Sequence, residues 1–193
     1  MRRSRKFEWT GLSVGVIFFL LVVSIAGIAQ NKRESLSAVA FGTSTQMGQN
    51  FNVNIIIESY STPQDQQVLL EAFNKGGNQA LVKALEKMPA RGRINTPRTL
   101  GYDISYIRVW PTPTGRKVRL VTNRTIALGE AMRSTRSRDY SVTVVELELS
   151  NDKDKSTGTL IPACELKMNK QGEIELEAYQ NPWRLANIID WGK

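Results

Sequence analysis

Apolar residues recur along this chain in three rhythms. Residues 11 to 29, GLSVGVIFFLLVVSIAGIA, are continuously apolar and uncharged. Residues 51 to 57 alternate, with Phe51, Val53, Ile55 and Ile57 on one phase, which predicts a half-buried strand. Past Thr62 the spacing turns helical. Thr62 supplies an N-cap, Pro63 the first helical position and Asp65 an acid in the first turn, while Val68, Leu69, Ala72 and Phe73 share one face. Gly76-Gly77 reads as a C-terminal stop. A second helix is expected from Asn78, with Leu81, Ala84, Leu85 and Met88 on its apolar stripe, ending before Pro89. The two short helices predict a helical hairpin with its stripe in the core.

From Leu100 the period falls to two. Tyr102, Ile104 and Tyr106 alternate; Val118, Leu120 and Ile126 follow on one phase, and PTPTG between them reads as a turn. In YSVTVVELEL, Val142 and Val144 occupy one phase and Val145, Leu147 and Leu149 the other, which predicts a bulge or burial on both faces. NDKDKSTG is a polar loop. Leu160, Cys164, Leu166 and Met168 then line one side of a strand, NKQG turns into EIELEAY, and a short last strand is expected around Leu185 to Trp191. The expected fold class is therefore α+β: a curved antiparallel sheet or small barrel of about six to seven strands, with a two-helix hairpin inserted after the first strand. Residues 51–193 are expected to form a single globular domain, and the polar, small, aperiodic residues 30–50 a flexible tether.

The apolar run sets the compartment. Arg2, Arg3, Arg5 and Lys6 precede it against the single acid Glu8, the charge bias of an export signal or a cytoplasmic flank. At about 1.5 Å per residue a helix of this length reaches roughly 28 Å, so it is long enough to span a bilayer. Its densest part is shorter, and Ser24-Ile25-Ala26 and Gly27-Ile28-Ala29 offer small residues where a signal peptidase cuts. Residues 1–29 are thus expected to be a signal peptide or, alternatively, a retained membrane anchor. Either way the domain is placed outside the cytoplasm, as a periplasmic, secreted or single-pass anchored protein. No Cys follows the run, which excludes a lipoprotein anchor.

STPQDQQVLLEAFNKGGNQALVKALEKM, GYDISYIRVW, TNRTI and RDYSVTVVELEL together resemble a set of uncharacterised exported bacterial proteins, over roughly residues 51 to 180. That resemblance implies a bacterial exported domain. It carries no activity and no site residues with it.

Composition narrows the chemistry. The chain has no histidine, which removes the commonest metal ligand and general base together. Cys164 is the only cysteine, so no intramolecular disulfide can form. Its place among apolar neighbours predicts an inert core thiol. Asp152, Asp154 and Ser156 imitate the start of a calcium loop, but Thr157 stands where a Gly is required and Ala163 where a bidentate Glu is required. Ser150 and Lys153 match S-x-x-K without a helix to carry them or an accompanying K-T-G. Gly76-Gly77 lacks the Lys of a phosphate loop. Asn123-Arg124-Thr125 is a sequon only in a host with the glycosylation machinery. No cofactor or metal is implied.

Two charged sets remain. Glu146 and Glu148, and likewise Glu173, Glu175 and Glu177, alternate with apolar residues; paired acids can hydrolyse glycosides, but this spacing is that of a strand with one wet face. Lys117 and Arg119 are the expected cross-strand partners. The second set is cationic. The net charge of +8 is concentrated in residues 90–138, which hold 11 basic and 2 acidic residues, with Arg in 10 of the 11 basic positions. Arg133, Arg136 and Arg138 are expected in one loop, with Arg116 and Arg124 nearby in sequence; guanidinium groups bind carboxylate and phosphate through two parallel bonds. The expected function is a noncatalytic binding or scaffolding domain of the bacterial cell envelope, with an anionic envelope polymer or a protein as partner. The alternative is an envelope hydrolase using paired carboxylates. Nucleic acid is not an expected partner, because no aromatic interleaving or recognition motif accompanies the charge.

Overall fold

The computed structural model describes residues 33–97, 99–126, 141–168, 174–179 and 181–192. In chain order its elements are β1 (Glu34–Phe41), β2 (Asn50–Ile57), α1 (Pro63–Lys87), β3 (Gly92–Asn95), β4 (Tyr102–Thr112), β5 (Gly115–Thr122), β6 (Val142–Ser150), β7 (Thr157–Met168), β8 (Ile174–Ala178) and β9 (Trp183–Asp190). Each of the first seven strands pairs antiparallel with the next along the chain, and β9 bridges β7 back to β1. Eight strands therefore close into a barrel, and β8 lies outside it, paired with the far end of β7.

This corrects the expectation of a sheet of six to seven strands carrying a two-helix hairpin. Two strands escaped the sequence reading. Residues 34–41, assigned to the tether, form β1; its inward positions Leu36, Ala38 and Ala40 are buried, but small Ala38 and Ala40 alternate with the apolar Val39 and Phe41 and give little contrast between faces. β3 has four residues, too few to establish an alternation. The helical part of the described residues differs from the expectation as well. One helical element runs from Pro63 to Lys87, and only Gly76 (φ −154°, ψ 23°) and Gly77 (φ 61°, ψ −149°) leave helical geometry. α1 is thus one helical element with a sharp kink at the glycine pair, so that both its ends lie near each other. The Gly pair bends it instead of ending it.

The start of α1 follows its sequence closely. Thr62 Oγ1 accepts from the Asp65 amide at 3.2 Å, and Asp65 Oδ2 accepts from the Thr62 amide at 2.7 Å, a reciprocal capping box. Asp65 also pairs with Arg91 at 2.8 Å, fastening the helix to the chain that enters β3.

Two apolar clusters share the barrel wall. The lumen is filled by Leu36, Val53, Ile55, Ile94, Leu120, Leu147, Trp183 and their neighbours, as the narrow interior of an eight-stranded barrel permits. On the outside, α1 covers part of the wall, where Leu69, Phe73, Leu81 and Leu85 pack with Tyr106, Val142, Val144 and Cys164. The split phase of β6 has its explanation here: Val142 and Val144 face the helix, while Val145, Leu147 and Leu149 face the lumen. β7 divides in the same way, so Leu160 and Cys164 belong to different clusters and not to one side. Register shifts in the β6–β7 and β4–β5 pairings accompany these changes of face.

Candidate functional site: the two ends of the barrel

The strand directions distinguish two ends. At the first lie the start of β1, both ends of α1, the β4–β5 turn, the β6–β7 turn and the end of β9. At the second lie the β1–β2 turn, the β3–β4 loop and the residues that follow β5 and β7.

The first end is closed by a charged cluster. Arg116 has the same phase in β5 as the lumenal Val118 and Leu120, so its guanidinium turns inward. It donates to both carboxylate oxygens of Glu34, from Nη1 at 3.0 Å and from Nη2 at 2.6 Å. Nη2 also reaches Asp190 at 3.2 Å, and Nη1 reaches the Tyr60 hydroxyl at 3.1 Å. The Tyr60 hydroxyl in turn donates to Glu34 at 2.8 Å. Burial first, and then this bond to Glu34, push the Tyr60 phenol far above its usual pKa; the Arg116 guanidinium is raised chiefly by its bond to Glu34. Asp190 joins the cluster because of a bulge. Asn187 adopts φ 52°, the β9–β1 register shifts there, and the inward phase passes from Trp183 and Leu185 to Ile188 and Asp190. An Asn tolerates that left-handed conformation better than most residues.

At the second end Arg124 is exposed. Its guanidinium lies 5.0 Å above the Tyr102 ring centroid and donates to the Gly101 carbonyl at 3.3 Å. Among the described residues no carboxylate lies within ion-pair distance of it. From Arg116 to the end of β5 is six residues, roughly 20 Å of strand. The structure thus separates Arg116 and Arg124, which adjoin in sequence, to opposite ends. Arg133, Arg136 and Arg138 lie outside the described residues. Their segment departs after Ile126 and returns at Ser141, both at the Arg124 end. Ile126 is fixed by a bond from its amide to Thr143 Oγ1 at 2.8 Å.

The acids of β6 stand on the convex outer wall. Glu146 receives Lys117 at 3.1 Å and Arg119 at 2.5 Å, as the cross-strand reading expects. Burial raises its carboxyl pKa, but the bonds from Lys117 and Arg119 outweigh this and leave it lowered. Arg119 and Arg108 also lie over the Trp110 ring, at 5.5 and 4.9 Å. Glu177 is exposed on β8, and Glu173 lies outside the described residues. Asp152 precedes a short helical turn that contains Asp154, and Lys155 at its end pairs with Asp152 at 2.9 Å. Cys164 is fully buried beneath α1, and burial pushes its thiol up to about 12. Among the described residues no group of three or more carboxylate or thiol side chains could hold a metal ion, and no helix is long and apolar enough to cross a membrane.

A shallow groove of about 440 Å³ lies against the bent helix, lined by Asp65, Val68, Ala84, Lys87 and Met88 among others. A second, of about 320 Å³, is lined by Arg116, Lys117, Lys155 and Glu148 with the hydroxyls of Thr112 and Ser150. The cations of that second groove already face Glu34, Asp190, Glu146 and Asp152, so its charge is compensated.

Sequence reasoning placed Arg116 among the candidates but missed Glu34, Tyr60 and Asp190, which determine its role. The available signal was the phase of Glu34 with Leu36, Ala38 and Ala40. Comparison of the chain with models of known families, with curated proteins and with solved structures returned no match.

Proposed function

We propose that this chain is an exported, noncatalytic domain of the bacterial cell envelope that binds or scaffolds an anionic partner at the second end of its barrel. Arg124 carries the proposal. It is an exposed guanidinium, oriented by Tyr102, with no carboxylate partner among the described residues, at the point where the chain enters the segment bearing Arg133, Arg136 and Arg138. Arg116 is assigned a structural role, because two carboxylates occupy its donors. The apolar lumen and the neutralised Glu146 favour a binding surface over a hydrolytic cleft. The charge-flanked apolar run at residues 11–29 supports export.

Retention on immobilised dextran sulfate tests this reading. Replacing Arg124, Arg133, Arg136 and Arg138 together with Gln should abolish most of the retention while leaving the melting temperature nearly unchanged. Retention by the parent should fall steeply with salt, since exposed charges are screened beyond about 8–10 Å at physiological ionic strength. Full retention by the fourfold variant, or a large loss of stability without loss of retention, refutes the reading.

A further inference from the structure

We propose that the first end of the barrel rests on a lipid bilayer, with Trp191 and Ile189 as its interfacial contacts. The Asn187 bulge that turns Ile188 and Asp190 inward also turns Ile189 outward, and Trp191 follows it at the rim of the wall. Both remain uncovered, Ile189 at 48% and Trp191 at 66% exposure. Trp191 is nevertheless held in place. Its amide donates to the Ser35 carbonyl at 2.9 Å, and its indole Nε1–H donates to Ser37 Oγ at 3.0 Å.

Ser35 and Ser37 belong to β1, the strand that continues directly from the apolar run. Only five residues separate Ala29 from Ser35, a span of at most about 20 Å when fully extended. A domain on so short a tether meets the surface at a high effective concentration, so even a weak contact is occupied. The side chains suit that contact. Tryptophan has an apolar ring with one polar edge and concentrates at the membrane–water interface, and the exposed Arg33 just before β1 can bond lipid phosphates. Among the described residues the other exposed large apolar side chains are Val68 and Leu70 on α1, and Met47 and Leu100 at the opposite end of the barrel. The same seating would turn Arg124 away from the bilayer.

The inference rests on residues 11–29 remaining attached, the anchored form of the export reading; it does not depend on the anionic ligand. The test uses the full chain, in a Trp9→Phe background, reconstituted in phosphatidylcholine–phosphatidylglycerol vesicles with acyl chains brominated near the headgroup. Brominated lipid should quench part of the tryptophan emission. Adding Trp191→Phe should remove most of the quenched component without moving the thermal melt. Absent quenching, or quenching unchanged by Trp191→Phe, overturns the docking. A native chain cut after Ala26 or Ala29 overturns it as well, yet leaves the dextran sulfate result intact.

Discussion

Replacing Arg116 with Gln should be the most destabilising single change of a charged residue among those described here. Glu34 and Asp190 keep only 14% and 13% of their side-chain surface exposed, and Arg116 contacts both at 2.6 and 3.2 Å. Glutamine leaves these two carboxylates facing each other at the closed end of the lumen without the cation that offsets them. Removing one partner of a buried ion pair typically costs about 3–5 kcal/mol; the residual exposure of this cluster places the expectation near the lower bound, about 3 kcal/mol. For a domain of this size each kcal/mol lowers the melting temperature by about 2–4 °C, so a fall of about 6–12 °C is expected. Thermal and urea melts followed by circular dichroism measure it. Arg119→Gln is the control: its bond to Glu146 is on the outer wall and the arginine is 44% exposed, so its loss should cost less than about 1 kcal/mol. Arg116→Lys keeps the charge but cannot offer two parallel N–H groups to Glu34, and should fall between the two. If Arg116→Gln melts no lower than Arg119→Gln, the cluster is not a structural closure. Arg116 then returns to the list of residues free to hold a ligand.

Leu81→Ala and Leu85→Ala should each cost about 2–4 kcal/mol in urea melts, because both side chains are buried between α1 and the barrel wall. Gly77→Ala should cost about 1–3 kcal/mol, since its φ of 61° with ψ of −149° suits glycine almost alone; no atom lies within 4 Å of the added methyl, so the loss is one of backbone conformation. Cys164 should resist iodoacetamide in the folded protein at pH 8 and react once urea unfolds it. Its folded thiol ionises only near 12, whereas the unfolded thiol ionises near 8.5, so the unfolded state loses its proton first. Stability should therefore decline as pH rises through that interval, and Cys164→Ala should remove part of the decline.

The fold was legible where one face of an element contrasts with the other. Thr62, Pro63 and Asp65 specified the helix start because capping is local chemistry. The change of phase within β6 revealed burial on two faces before either covering layer was known. Closure of the barrel was not legible, since β1 meets β9 through backbone bonds that any sequence can make, and the alanines of β1 carry little amphipathic signal. The Gly76-Gly77 pair shows a further limit: glycine marks where a helix can depart from regularity, but not whether the chain stops there or bends. In the candidate site, sequence reasoning singled out Arg116 by residue type. Its carboxylate partners stand far away in the chain, and Asp190 faces inward only because of a one-residue bulge at Asn187.

The pairing of β9 with β1 sets the order in which the molecule can be completed. Leu36 faces Asp190 in the final register, so the first strand waits for almost the whole chain before its second neighbour exists. At about 5–20 residues per second, synthesis of the intervening stretch takes roughly 8–30 s. Throughout that interval the barrel is an open sheet with an unsatisfied edge, and the Glu34 carboxylate lacks its last neighbour. On the export reading proposed above this delay is useful, because a polypeptide threaded through a membrane must not finish folding before its tail has been made. A barrel sealed by its final strand is kept unfinished by connectivity alone.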